Sequence, residues 1–244
     1  MRSIAVFSVK GGVGKSALAV NLAHAAASIS GRRTLLWDLD AQGAATYTLR
    51  LSPRADISAR KGIAGGELTP LIQASDFANL DVLAADKSLR HLEKQLAEDD
   101  KAKRLKKLIK GLEKDYDRVI LDCPPGLTEL AEQVFRAVDL LVVPLIPSPL
   151  SERAYQQLLD HLAKHHKGSA PAVLPVFSMV DRRKTLHRDT IAATPDRACI
   201  PYAAAIEAMA ATRTPVLAKS PTAPAARALA ALWTSVERSL TKAN

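Results

Sequence analysis

Cysteine is scarce in this 244-residue sequence: Cys123 and Cys199 are its only two, which excludes a disulfide framework as the source of its stability. No segment approaches the roughly 18 apolar residues that a membrane-spanning helix needs. Met1-Arg2-Ser3 leads into an expected strand, not an apolar leader, so a cytoplasmic protein is expected. Aromatic residues make up 4% of the chain, and no expected helix sets a lysine-rich face against bulky aromatics, which disfavours an interfacial membrane helix. Acidic residues are outnumbered: 34 Lys and Arg against 25 Asp and Glu leave a formal charge of +9, so a polyanion is the natural partner and nucleic acid is favoured over membrane. Internal repeats and low-complexity tracts are absent too. The length suits one α/β domain, residues 1–244, with a substantial core.

What is present is a glycine loop. Residues 10–16, Lys-Gly-Gly-Val-Gly-Lys-Ser, follow a short apolar strand at 3–8 and precede a helix at 17–27 that is apolar on nearly every face. The general phosphate-loop pattern G-x-x-x-x-G-K-[ST] asks for glycine where this chain has Val9, so it is only partly met. In this setting the amides of Gly12, Val13, Gly14 and Lys15 converge on a β-phosphate at the helix N-terminus, where the dipole favours negative charge. Gly11 and Ala17 flank that cradle. Lys15 reaches the β/γ oxygens and the Ser16 hydroxyl a Mg²⁺ ion. A nucleoside triphosphate with Mg²⁺ is the expected ligand. Lys10 is a second lysine that the phosphates do not require.

With Lys10 included, the loop resembles the K-G-G-x-G-K-[ST] segment of the ParA/MinD family of deviant Walker A ATPases, and is most similar to the small, Soj-like partition and positioning members. The resemblance implies a P-loop fold, a doubly wound, mainly parallel α/β sheet with helices on both faces, and ATP with Mg²⁺ as cofactors. It also implies that Lys10 crosses a dimer interface and acts on the partner's nucleotide, a cationic finger in trans. The strand at 34–37 runs into Asp38-Leu39-Asp40-Ala41-Gln42-Gly43, which resembles the family's D-x-D-x-Q-G segment. On that resemblance Asp40 positions the attacking water and Asp38 supports the metal shell. Residues 116–126, Tyr-Asp-Arg-Val-Ile-Leu-Asp-Cys-Pro-Pro-Gly, resemble a Walker B strand entering a second switch loop, with Asp122 binding Mg²⁺ through water. Ile200-Pro201 resembles the adenine-side element, and Met179 joins Pro201 in the implied nucleotide-binding set.

Residues 178–188 are similar to the family's T-M-F-D-R-R-x-x-L segment, and this implies DNA contacts from Arg182, Arg183, Lys184 and Arg188. The alternative is that Arg182 and Arg183 cap the adjacent helix and pair with carboxylates. After Pro201 the chain departs from the family's R-N-x-R-L-S-E-A, having Tyr202-Ala203-Ala204-Ala205-Ile206-Glu207-Ala208. A basic contact of the usual kind is missing there, and Arg213 and Lys219 are the candidate substitutes. The resemblance implies an ATP-dependent homodimer that binds double-stranded DNA non-specifically, associates with the nucleoid, and hydrolyses ATP when stimulated by a ParB-like or other cargo adaptor. A first strand beginning at residue 3 leaves no room for an N-terminal helix-turn-helix, so base reading is not expected.

Further strands are expected at 80–84, 140–145, 173–179 and 198–200, the third weakened by Pro175, which cannot donate to a ladder. Residues 52–78 read as loops with one short helix, capped by Thr69, begun by Pro70 and ending near Ala74. Lys101–Lys114 is amphipathic, with Leu105, Leu108, Ile109 and Leu112 inward and Lys101, Arg104, Lys107, Lys110 and Lys114 outward. That basic stripe reads as a solvated face, with a DNA-binding face as the alternative. Ser148-Pro149 begins a helix ending near Lys164–Gly168, where His165 and His166 are expected as capping or surface residues, not metal ligands. The final helix, 224–240, gathers Leu229, Leu232, Trp233, Val236 and Leu240 on one face. It is expected to pack; as a lipid-binding element it would support the alternative of a MinD- or FlhG-like membrane-cycling regulator, although no stable membrane association is expected. Both cysteines are expected to pack in or near the core. The remaining alternative is an iron–sulfur carrier with a cluster between subunits.

Overall fold

Apolar side chains alternate along each central strand of this computed structural model, which describes residues 1–54, 67–86 and 104–242. With both faces of a sheet covered, that alternation feeds two separate cores. In strand β1 (Arg2–Val6) Ala5 enters one core while Ile4 and Val6 enter the other; in β2 (Thr34–Asp38) Leu35 and Trp37 part from Leu36 in the same way. The remaining strands are β3 (Ile72–Ala74), β4 (Leu80–Leu83), β5 (Arg118–Asp122), β6 (Leu140–Leu145), β7 (Ala172–Val180) and β8 (Ala198–Pro201). They form one sheet in the order β3-β4-β2-β5-β1-β6-β7-β8, parallel throughout except for the antiparallel β3–β4 edge. The expected doubly wound α/β sheet is the fold observed.

The helices among the described residues are α1 (Lys15–Ser28), α2 (Ala44–Thr48), α3 (Arg104–Gly111), α4 (Glu129–Ala137), α5 (Pro149–His165), α6 (Thr185–Ala192), three single turns α7 (Ala204–Glu207), α8 (Met209–Thr212) and α9 (Val216–Lys219), and α10 (Pro224–Lys242). Residues of α1 and α10 share the core holding Ile4 and Val6; those of α3, α4 and α5 share the core holding Ala5 and Phe7. The alanine-rich face of α1 lets it lie close against the strands, which is why it is buried along almost its whole length.

One expectation needs correcting. The segment from Thr69 is a single 3-10 turn, Thr69–Leu71, with no side-chain cap, and the chain then extends into β3 because Ile72–Ala74 can pair with β4. Pro175 does lie within a strand: the β7 ladder to β8 begins only at Val176, so at Pro175 the strand is paired on the β6 side alone and a missing donor is tolerated. The inward leucines of α3 are buried as expected, whereas Lys101 lies outside the described residues.

The apolar face of α10 is occupied. Leu229, Leu232, Trp233, Val236 and Leu240 are all buried, Trp233 Nε1 donates to Ser30 Oγ at 2.8 Å, and Glu237 takes both Arg118 Nε and NH2 at 2.7 and 2.8 Å. The face that a lipid surface would need is therefore part of the core. No helix among the described residues is long and apolar enough to cross a membrane. Trp233→Ala should cost about 3–5 kcal/mol of stability, as large-to-small core changes do. Urea unfolding checks this, and a loss below about 1 kcal/mol would mean that α10 is only loosely attached.

Candidate nucleotide site

Three sequence segments far apart in the chain meet because β1, β5 and β2 are neighbours in the sheet. Val6 is in register with Asp122, and Asp122 with Asp38, so the loops leaving these strands share one edge. This is where the helix α1 starts. Gly14 is its N-cap residue at φ +83°, and Gly12 lies at φ +71°, both in the left-handed region where a side chain is strained. A Cβ on Gly14 would also stand 3.1 Å from the Ser178 hydroxyl. Val9, where the general pattern has glycine, packs against the core, so the departure serves burial. Lys15 is buried and its Nζ lies 3.5 Å from the Lys10 carbonyl.

The two aspartates differ in what holds them. Asp38 is fully engaged: Thr46 donates to Oδ2 from its backbone N–H at 2.9 Å and its hydroxyl at 2.8 Å, and the Asp40 N–H donates to Oδ1 at 3.2 Å. Asp38 therefore anchors the loop at 39–43 and the start of α2, and is better placed to position Asp40 than to ligate a metal directly. Asp122 is completely buried, and neither of its oxygens has a partner in hydrogen-bond geometry. Among the described residues the one other buried side-chain polar atom in that state is Trp37 Nε1. Burial, then the nearby Asp38, push the Asp122 carboxyl well above the usual carboxylate range; the Ser16 hydroxyl and Lys15 oppose the shift without cancelling it. Burial likewise raises Asp38 to about 6, against the bonds from Thr46 and Asp40. A buried, unpartnered carboxylate beside a lysine and a serine hydroxyl is a strained arrangement that a divalent cation relieves, since hard cations take oxygen ligands. Ser16 and Asp122 fit Mg²⁺, with Asp38 behind them.

The consequence for pH has a definite sign. Because the folded pKa of Asp38 is raised to about 6, the folded chain holds that proton more tightly than the unfolded chain. The contribution thus favours folding at low pH and is lost as pH rises through about 6. A bound Mg²⁺ stabilises the charged forms and reverses the trend. Stabilisation of the ADP-bound chain by Mg²⁺, read as a melting-temperature increment, should accordingly grow between about pH 5.5 and about pH 7.5, by up to a few kcal/mol at about 1.4 kcal/mol per pKa unit. Asp122→Asn should raise the melting temperature of the ligand-free chain above pH 7 and remove the Mg²⁺ increment; an unchanged increment would place the cation elsewhere.

Beside the loop lies an apolar cavity of about 190 Å³, walled by Gly14, Ala17, Met179, Pro201, Tyr202 and Ile206 among others. Its shape depends on Met179, which sits at φ +54° where the β7–β8 register slips between Phe177 and Val180. An apolar slot beside a phosphate cradle is suited to a planar base.

A family model described as "AAA domain" matches residues 1–173, which include the glycine loop, Asp38, Asp40 and Asp122. The chain is 33% identical over 190 residues to the sporulation initiation inhibitor protein Soj of Bacillus subtilis, covering 75% of this chain and 74% of that protein. It is 30% identical over 195 residues to the chromosome partitioning protein ParA of Caulobacter vibrioides, covering 76% and 72%. The chain belongs to the ParA/MinD family of P-loop ATPases. Solved structures agree with that fold. Cobyrinic acid a,c-diamide synthase from Mycobacterium smegmatis, with a bound ATP analogue and magnesium, is 25% identical with TM-score 0.81 over 100% of this chain and 97% of that one. The septum site-determining protein MinD from Pyrococcus horikoshii, complexed with Mg-ADP, is 23% identical with TM-score 0.80 over 100% and 98%.

Set in the ParA/MinD fold, the other expected site residues fall into separate groups. Arg182, Arg183 and Lys184 are exposed on the turn between β7 and α6, and Arg188 follows on α6. Arg183 is tied to Asp181 by two 2.9 Å contacts, so the pairing alternative holds for it, and those bonds keep the Asp181 carboxyl well below its usual range. Arg188 bonds the Arg182 carbonyl and the Thr185 hydroxyl. Arg213 belongs elsewhere: it stacks 4.5 Å over the Tyr47 ring and donates to the Tyr47 carbonyl at 2.8 Å, bracing α2. Lys219 is exposed at the end of α9. Cys123 is buried in the core, its thiol pKa pushed up by burial, and Cys199 is half-buried against the core, as expected for packing residues. Sequence reasoning missed Thr46, which holds Asp38 and also accepts from the Ala85 N–H at 2.9 Å, and Ser178, which closes on Gly14. A threonine eight residues after an aspartate carries no local signal; only the folded switch loop joins them.

Proposed function

We propose that this ParA/MinD-family chain binds ATP–Mg²⁺ at the Gly11–Ala17 loop, dimerises across that face through Lys10, and then binds DNA without sequence preference. Partner-stimulated hydrolysis, with Asp40 positioning water, releases it, so that bound dimers partition or position a cargo. The observation that carries this reading is the orphaned Asp122 carboxylate in register with Asp38 and facing Lys15 and Ser16. A divalent cation relieves its charged form, and a glycine cradle at a helix N-terminus beside that cation suits a phosphate. Soj and ParA, the named relatives, support the partition role, and the Cyanothece McdA–ATP complex (19% identical, TM-score 0.82) shares the fold. The formal charge of +9 supports a polyanion as the surface on which the cycle runs.

Lys10 is the residue that separates monomer binding from assembly. Lys10→Ala should bind ATP nearly as well as the native chain yet fail to form the ATP-dependent dimer, as read by light scattering; a normal dimer would remove its role in trans. The native chain should retain arbitrary duplex DNA on filters only with ATP. Its log affinity should fall against log salt with a slope of about −0.9 per phosphate contacted. Replacing Arg182, Arg183 and Lys184 by alanine should flatten that slope and leave the dimer intact. No ATP-dependent retention at low salt would overturn the DNA reading; retention unchanged in the triple variant would move the contact to α3, Arg213 and Lys219.

A further inference from the structure

Away from the nucleotide edge, α4 and α5 are joined by a cluster that the ATPase cycle does not use. Thr128 caps α4, accepting from the Ala131 N–H, and this sets Glu132 in the first turn toward α5. His161 lies in the last turns of α5, and His166 follows as its C-cap residue, its backbone N–H still bonded to the Leu162 carbonyl at 2.8 Å. The five-residue spacing of the two histidines does not suit one straight helix face. The chain leaves the helix at His166, and that turns its ring back toward His161.

Both imidazoles present Nε2 to the same carboxylate. His161 Nε2 stands 2.5 Å from Glu132 Oε1, and His166 Nε2 2.8 Å from Oε2. One ligand atom from each residue lies within 4.8 Å of the others. The His166 side chain is 1% exposed, those of His161 and Glu132 22% and 17%, so the cluster is dry on one side and reachable on the other. Phe135 stands edge-on to both rings at 6.2 and 5.6 Å and closes the inner wall. Two imidazole nitrogens and a carboxylate oxygen are the donor set of three-ligand zinc sites, which keep a fourth position for water. Tetrahedral coordination at those bond lengths sets ligand atoms about 3.4 Å apart, a separation that falls between the 2.5 and 2.8 Å contacts to Glu132 and the 4.8 Å within which all three ligand atoms lie. Arg136, one turn along α4, reaches Glu132 Oε2 at 3.3 Å and is 36% exposed. A surface pair of that kind is weak, and it engages Oε2 alone.

We propose that Glu132, His161 and His166 form a binding site for Zn²⁺ or a similar borderline first-row dication, clamping α4 to α5. The clamp joins the helix that follows the second switch loop to the helix whose Ser151, Tyr155 and Leu158 line a small cavity with Lys10 and Val13. Metal occupancy would thus stiffen the support beneath both the second switch loop and Lys10.

Co²⁺ provides the test, added to EDTA-treated full-length chain in saturating Mg²⁺–ADP so that the nucleotide-site cation is already in place. The expected result is one Co²⁺ per chain with the intense visible bands of four-coordinate cobalt, displaced by one equivalent of Zn²⁺. His161→Gln and Glu132→Gln should each weaken binding by roughly tenfold or more, while Mg²⁺–ADP binding stays unchanged. Should either variant fold poorly, long-range ¹H–¹⁵N spectra of the native chain decide: Zn²⁺ must shift the Nε2 resonances of two of its six histidines. No Co²⁺ uptake, equal affinity in both variants, or six unshifted rings would each overturn the site and leave only a hydrogen-bonded cluster.

Discussion

Lys15→Ala is expected to lose ATP binding altogether at micromolar concentrations. Lys15 is buried at the start of α1, and in the proposed site it bonds oxygens of both the β- and γ-phosphates. Charge-assisted hydrogen bonds are worth about 1.5–3 kcal/mol each, so two of them predict binding weaker on the order of 10³-fold. A second effect adds to the first. Lys15 is among the groups that hold down the Asp122 pKa, and without it the buried carboxyl takes up a proton more readily and ligates cation less well. Calorimetry of ATP binding with Mg²⁺ checks this; affinity within about tenfold of the native chain would mean that the loop does not cradle phosphate as proposed.

Asp40→Ala should act on turnover and spare binding. Its backbone is held by Asp38 Oδ1, and its own Oδ1 accepts from the Gln42 N–H at 3.0 Å, a local turn that leaves the other oxygen for water. Positioning and electrostatics supply most of the barrier lowering in phosphoryl transfer, so the expected loss is on the order of 10²-fold or more in steady-state hydrolysis. The variant should accumulate as the ATP-bound dimer. Asp40→Asn separates geometry from charge: it keeps an acceptor for Gln42 but has no carboxylate, so it should be as slow as the alanine variant. Rapid hydrolysis in Asp40→Asn would transfer the role to another group.

The parts of the site legible in the sequence are those built from neighbours along the chain. Gly12, Gly14, Lys15 and Ser16 lie within one turn, and their strand and helix setting is readable from period-two and near-continuous apolar patterns. The strands of the parallel sheet were legible within a residue or two for the same reason: both faces are buried, so each strand is an apolar run bounded by polar residues. β3 was not, since Ile72-Gln73-Ala74 is too short to carry a period and extends only because β4 offers an edge. Met179 and Pro201 could be assigned by resemblance, but the register slip that gives Met179 its left-handed backbone has no trace in composition. His166 caps α5, as its place at the helix end suggests, but it is buried instead of lying at the surface, and that burial has no local signal. Its carboxylate partner is 34 residues earlier, on a different helix.

By itself the sequence determined the loop chemistry, the α/β alternation, the family and the positive charge, because each depends on residue type and short-range spacing. Tertiary structure alone decided that Asp38 is held by Thr46 while Asp122 is left without a partner, that Arg183 and Arg213 are paired within the chain, and that the apolar face of α10 is covered. These are matters of burial and of which strands and helices become neighbours. A carboxylate's charge state follows from how much water it loses and which other charges approach it. In this chain the decisive approach, Asp38 to Asp122, is made by two strands that are adjacent in the sheet and more than eighty positions apart in the sequence.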